Sequence, residues 1–111
     1  MRSVKQLRDG AKLERQRAEA LRNEARTHRD KADSFNQSGG DPNQALRETD
    51  TAQRLEERAA QHERTALDFE QEAAAVEQRA VQVERQEQAL QETTQARLER
   101  LEAEKNALRG E

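Results

Sequence analysis

Apolar side chains recur along this chain at alternating steps of three and four residues, with polar and charged residues between them. One stretch containing glycine and proline, residues 36–43, interrupts the pattern. Such spacing keeps the apolar side chains on one face of an α-helix and is typical of a coiled coil. The sequence therefore predicts an all-α fold, an antiparallel two-helix coiled-coil hairpin with a long second helix whose C-terminal half overhangs and self-associates.

The interrupting stretch predicts the turn of the hairpin. Asp41 is a suitable N-cap and Pro42 suits the first position of a helix. We expect helix 1 over about residues 3–36, the turn over 37–41 and helix 2 from residue 42, since no further Gly or Pro occurs before Gly110. The hairpin domain would cover residues 1–76, and residues 77–111 would form an oligomerisation or partner-binding extension of helix 2.

The predicted interface between the helices, called the seam here, is formed by the a and d positions of the heptads. In an antiparallel register in which the numbers of facing residues add up to 80, nearly every layer sets an alanine against a larger side chain. Leu21 then faces Ala59, and Ala25 faces Leu55. This alternation lets the helices approach closely and fill each layer. The seam residues of the hairpin are Leu7, Ala11, Ala18, Leu21, Ala25, His28, Phe35, Ala52, Leu55, Ala59, His62, Phe69 and Ala73.

Charged residues flank the predicted seam in two complementary rows at the e positions. In an antiparallel coil these positions lie on the same side of the seam, so each arginine of helix 1 lies beside at least one glutamate of helix 2. Residues 1–36 carry ten basic minus six acidic groups, or +4, and residues 43–76 carry four minus eight, or −4. The rows favour this orientation and register. They comprise Arg8, Arg15, Arg22, Arg29, Glu56, Glu63, Glu70 and Glu77.

Polar residues interrupt the seam at Glu14, His28, Glu48 and His62. Glutamate and histidine inside helical bundles can bind metal. Here, however, His28 and His62 would lie about ten residues, or ~15 Å, apart along the axis, too far to share one ion. We interpret the four residues as two polar pairs that fix the register, and we expect no metal and no cofactor.

Composition and motifs argue against other classes of function. The chain has 32% hydrophobic and 2% aromatic residues, no cysteine and a net charge of −3. Neither a nucleophile–base pair nor a phosphate-binding loop is visible, so we expect no catalysis. The arginine row faces glutamates and no aromatic platform accompanies it, so we expect no nucleic-acid binding. We expect no membrane insertion either, because the longest apolar run is four residues, 73–76.

The N-terminal residues contain scattered charges and no apolar stretch of the length found in secretory signal peptides. Cytoplasmic residence is therefore the default expectation, and secretion without a signal peptide stays open.

Helix 1 is long enough to cover helix 2 only to about Val76, so the seam positions beyond it need another chain. In an antiparallel pair of copies whose facing numbers add up to 184, Glu87 lies opposite Arg97. A parallel pair would set each charge against its own copy. The predicted oligomer or partner interface comprises Val83, Glu87, Leu90, Thr94, Arg97, Leu101 and Leu108.

Two functions fit these patterns. The first is a non-enzymatic structural or scaffold protein that homodimerises through residues 77–109. The second is an adaptor or chaperone-like module that captures a helix of a different protein. Small secreted helical hairpins are similar in length and in their central turn, but their Trp-x-Gly motif is replaced here by Ser38, Gly39 and Gly40. That third reading fits the residues least.

Overall fold

A computed structural model describes residues 2–110 and contains two α-helices, with no β-strand in that range. Helix α1 spans Val4–Gln37 and helix α2 spans Pro42–Leu108, and the two pack against each other. This confirms the predicted all-α helical hairpin, with the ends of α1 and the start of α2 within one residue of those expected. The chain divides into two compact units, Met1–Ala74 and Ala75–Glu111, each of which is described by itself below.

Helix α1 begins with a capping box formed by Ser3 and Gln6. The Ser3 hydroxyl accepts a hydrogen bond from the Gln6 backbone N–H at 3.1 Å, and the Gln6 side chain accepts one from the Ser3 N–H at 2.9 Å. Two N–H groups that the first helical turn would leave without partners are thus satisfied. The start of α1 is therefore encoded locally, in a Ser-x-x-Gln spacing.

The turn between the helices depends on Gly39, whose φ of 72° lies in the left-handed region. This conformation lets the Gly40 N–H donate to the Phe35 carbonyl at 2.8 Å, as in a Schellman motif that closes a helix. After the turn, the Asp41 carboxylate accepts a hydrogen bond from the Asn43 N–H at 2.9 Å and caps α2. Pro42 is the first residue of α2, as the sequence predicts.

The core of the first unit consists of small residues. Nine of its eleven buried residues are alanines, and the other two are Leu7 and Leu55. Ala52 and Ala59 have no exposed surface at all. The remaining a and d positions from Val4 to Ala73 are partly buried, and none is exposed. They are Val4, Glu14, Leu21, His28, Phe35, Glu48, His62 and Phe69.

Two non-seam residues complete the packing around Phe69. A Cβ added at Gly10 would come within 3.2 Å of the Phe69 ring, so glycine lets the ring lie against the α1 backbone. The Arg2 guanidinium lies 4.8 Å from the centre of the same ring and also donates to Glu72 at 3.2 Å. Glycine at position 10 lowers the intrinsic stability of the helix but permits close contact with the aromatic ring.

The second unit is helical to Leu108 and exposed. Every residue from 77 to 110 is exposed to solvent, including the leucines and valines at seam positions. The Gly110 N–H donates to the Ala107 carbonyl at 3.2 Å, and Gly110 has a φ of 76°. No helix within residues 2–110 is both long and apolar enough to span a membrane.

We expect Gly39→Ala to lower the free energy of unfolding by about 1 kcal/mol, because a side chain disfavours the left-handed conformation at that position. Gly110→Ala is a matched control. Gly110 also has a positive φ and open space around it, but its strain is relieved by fraying of the last helical residues. Urea unfolding followed by circular dichroism measures both variants. Equal effects would contradict a special role for Gly39.

Candidate functional site

Arginines of α1 bind glutamates of α2 across one side of the seam. Arg15 donates through Nε and Nη2 to the two carboxylate oxygens of Glu70, at 2.9 and 2.8 Å. Arg29 donates through the same two nitrogens to both oxygens of Glu56, at 2.7 and 2.8 Å. Two parallel bonds fix the plane of each guanidinium as well as its distance. The pairs therefore specify how the two helices are oriented and aligned.

A third ion pair, between Arg22 and Glu63, has the same two-bond form, with Nη2 donating to Oε2 at 2.6 Å and Nη1 donating to Oε1. The hydrogen bonds from Arg22 lower the pKa of Glu63 below its ordinary value, and those from Arg29 do the same for the pKa of Glu56. In return, the pKa values of Arg22 and Arg29 are raised. Each group thus favours the charged form of its partner.

The outer members of the two predicted rows are Arg8 and Glu77, and both are also engaged in interactions. For the inner arginines, the sequence left at least one glutamate beside each, and two beside Arg15 and Arg22. The structure selects one in every case, and the pair numbers add up to 85 each time, as for Arg15 with Glu70. Side chains on a helix lean toward its N-terminus, so partners on antiparallel helices meet between their backbone positions.

Both histidines of the seam form hydrogen bonds with glutamates of the opposite helix. His28 Nδ1 donates to Glu48, and His62 Nδ1 donates to Glu14. Arg17 also donates to Glu14, at 3.1 Å. The hydrogen bond from His62 is the main reason why the pKa of Glu14 lies below its ordinary value. The two pairs are alike because Glu14 and His28 recur 34 residues later as Glu48 and His62, and they place a hydrogen bond between the helices at two levels of the seam.

No three side chains of His, Asp or Glu within residues 2–110 come together as a set of metal ligands. All side-chain polar atoms that are buried in this range have hydrogen-bond partners. The polar seam groups therefore satisfy one another.

The predicted partner interface lies on the C-terminal segment, defined here as residues 77–109. Its apolar seam residues are exposed, from 45% for Val83 to 70% for Leu90 and 83% for Leu108. Leu98 and Val81, which lie beside the seam, are also exposed. The structure thus places the predicted residues on one helix and leaves their apolar surface uncovered.

Comparison with known proteins assigns no family. No protein-family model matches this chain, and neither a curated protein nor a solved structure is significantly similar to it. The candidate functional features therefore come from the chain's own residues. They are the paired charges of the hairpin and the exposed apolar seam residues of the C-terminal segment. Sequence patterns alone did not identify Arg2 and Gly10 at Phe69, because neither occupies a heptad seam position.

Acid should weaken the hairpin. The pKa values of Glu14, Glu56 and Glu63 are lowered in the folded chain, so the unfolded chain binds protons first. The contribution of these three glutamates to the free energy of unfolding is complete above the ordinary glutamate pKa, about 4.3. It is lost as the pH falls through the lowered pKa values. We expect the urea midpoint to fall below about pH 4.5, and to fall less steeply in Glu63→Gln.

Glu57→Gln is the matched control for this measurement, because Glu57 lies on the same helix and is exposed to solvent. It should leave the acid dependence as in the unchanged protein. If Glu63→Gln and Glu57→Gln gave the same slope against pH, the ion pair with Arg22 would not contribute to acid sensitivity.

The histidine pairs can be tested as units. We expect His28→Leu alone to destabilise the hairpin by about 1 kcal/mol, because Glu48 loses its partner inside the seam. His28→Leu with Glu48→Leu should be at least as stable as the unchanged chain, since an apolar pair avoids the cost of desolvating the charge. Urea unfolding of the single variants and the double variant gives the coupling. A double variant less stable than both single variants would contradict this account.

Proposed function

We propose that this chain is a non-enzymatic structural or scaffold protein that acts through helix–helix association and homodimerises through its C-terminal segment. The supporting observation is the exposure of that segment. Val83, Leu90, Leu101 and Leu108 continue the seam of the hairpin, yet between 45% and 83% of each remains exposed. A single amphipathic helix of this kind is marginal in water, and a second helix on its apolar face stabilises it.

The hairpin illustrates how such a seam packs when a second helix is present. Leu55, at a d position of α2, is only 8% exposed because it packs with Ala25 of α1 and with Ala52. Leu90 occupies the same heptad position five heptads later and is 70% exposed. A second helix packed on the C-terminal segment would bury its seam residues as α1 buries those of the hairpin. The gain comes from removing apolar surface from water.

A second candidate function is capture of a helix from a different protein, as an adaptor or chaperone-like module. Leu98 supports it, because this residue lies beside the seam and is 56% exposed. It widens the apolar face beyond the narrow row that a two-stranded coil requires. The two candidates differ in whether the purified chain associates with itself.

The test compares two valines that are equally exposed, at 45%, and two residues apart. Val83 lies on the seam and Val81 lies off it. Val83→Glu should raise the dimer Kd by at least about tenfold, because it places a charge in the interface of both copies. Val81→Glu makes the same chemical change and should leave the Kd within about threefold of that of the unchanged chain.

Sedimentation equilibrium over a range of concentrations gives each Kd. A chain that stays monomeric at all concentrations would refute homodimerisation and leave capture of a different protein as the explanation of the exposed row. Equal weakening by both glutamates would also contradict the proposal, because the interface would then lie elsewhere on the helix.

A further inference from the structure

The ion pairs of the hairpin provide a measure of how charges align across an antiparallel seam in this protein. In the hairpin register predicted from the sequence, the numbers of facing seam residues add up to 80, as for Ala25 and Leu55, which belong to one buried cluster. The numbers of the flanking pairs Arg15–Glu70 and Arg29–Glu56 add up to 85. The flanking sum exceeds the seam sum by five because both side chains lean toward their own N-termini. The same offset applies to any antiparallel pair of these helices.

For two C-terminal segments, the seam register that adds up to 184 is favourable in its three central layers, and it leaves Glu104 opposite Ala80. It sets Val83 against Leu101 and Glu87 against Arg97. It also sets Leu90 against Thr94, whose hydroxyl already donates to the Leu90 carbonyl of its own helix at 2.9 Å. Covering Thr94 with an apolar side chain therefore leaves no hydroxyl donor without an acceptor.

Adding the offset of five to 184 gives 189, the sum expected for the residue numbers of e positions that pair beside the seam of this dimer. We call it the flanking sum. Two combinations of e positions satisfy it, Glu84 with Lys105 and Gln91 with Leu98. The first brings opposite charges together, and the two-fold symmetry of the dimer produces it twice. Within residues 2–110, neither Glu84 nor Lys105 takes part in an ion pair. Both are therefore available to a second copy.

Registers shifted by a heptad lose this agreement. A seam sum of 191 gives a flanking sum of 196, which pairs Gln91 with Lys105 and Leu98 with itself. A seam sum of 177 gives 182, which pairs Glu84 with Leu98, Gln91 with itself and Glu77 with Lys105. The last pair has opposite charges, but Glu77 already takes part in an interaction within its own chain, and this register sets Glu87 against Leu90 in the seam. A parallel arrangement sets Glu87 against Glu87 in the seam, where like charges are costly. Of the three antiparallel registers, only that of 184 sets opposite charges against each other both in the seam, Glu87 with Arg97, and in the flank, Glu84 with Lys105.

We propose that the C-terminal segments of two copies of this chain pack antiparallel with seam partners adding up to 184, and that Glu84 of each copy forms an ion pair with Lys105 of the other. This rests on the proposed function, because it identifies the orientation and contacts of that dimer. Glu84 and Lys105 determine the alignment of the two helices from outside the seam, as the arginine and glutamate rows do in the hairpin.

A charge exchange in the full chain tests the ion pair. Glu84→Lys and Lys105→Glu should each raise the dimer Kd by about tenfold at low salt, because each variant places like charges together twice. The double variant exchanges the charges and should return the Kd to within about threefold of the original. The differences should shrink at about 1 M salt, where exposed charges are screened.

Glu92→Lys is the matched control, since it makes the same change in net charge at an f position on the side of the helix opposite the seam. It should leave the Kd within about threefold of the original. A double variant as weak as the single variants would overturn the ion pair. A control as weak as Glu84→Lys would do the same, because net charge alone would explain the loss.

Orientation is tested by disulfide trapping, which is unambiguous because the chain has no cysteine of its own. Val83→Cys and Leu101→Cys chains, refolded together and oxidised, should give the mixed disulfide as the main product. Val83→Cys alone should not cross-link efficiently. Val83→Cys with Thr94→Cys or with Leu108→Cys reports the two shifted registers and should not cross-link either, because those positions lie a heptad, or about 10 Å, too far along the axis.

Failure of the inference and failure of the proposed function are distinguishable in these experiments. If the unchanged chain is monomeric, both the inference and the proposed homodimer are wrong. A dimer in which Val83→Cys mainly links to itself is parallel, and a dimer that links Val83→Cys to Thr94→Cys or Leu108→Cys has a different register. Either of these last results overturns the inference while the proposed function stands.

Discussion

Close approach of the two helices at alanine is the constraint on which the hairpin depends. Nine of the eleven buried residues are alanines, and several have no exposed surface. Alanine buries little apolar area, so the seam gains stability from complete contact between the helices rather than from large side chains. Larger seam residues such as Leu21 and Phe69 are only partly buried, and the Phe69 ring lies where the opposite helix presents Gly10. A shift of three or four residues would put large side chains together and separate the helices, whereas a shift by a whole heptad would keep an alanine in nearly every layer.

A narrow seam of this kind brings charged groups of the two helices within reach of each other. The arginine and glutamate rows flank the buried alanines, and three of their pairs form two parallel hydrogen bonds. These pairs are exposed, so they contribute more to the choice of register than to the free energy of folding. The two histidine–glutamate pairs add a further requirement, because a shifted hairpin would leave their polar groups without partners.

The two units carry the same heptad pattern in different surroundings. In the first, α1 covers the row and its seam residues are buried or partly buried. In the second, residues 77–110 are exposed although their spacing is unchanged. Exposed apolar surface that follows a regular row supports association, whereas scattered exposed leucines are common on soluble helices. In the proposed dimer, the polar residues within the second row, Glu87, Thr94 and Arg97, restrict which register is compatible.

The sequence by itself determined the helical fold, the turn at Gly39 and the list of seam positions, because a period of 3.5 residues and a glycine–proline break are local signals. The interhelical ion pairs were predicted only as rows. Which glutamate each arginine binds was decided by the tertiary structure, since an arginine can reach two successive heptads and only the lean of both side chains selects one. The contact of Gly10 and Arg2 with Phe69 also required the fold, because it joins residues about sixty positions apart that no periodicity relates.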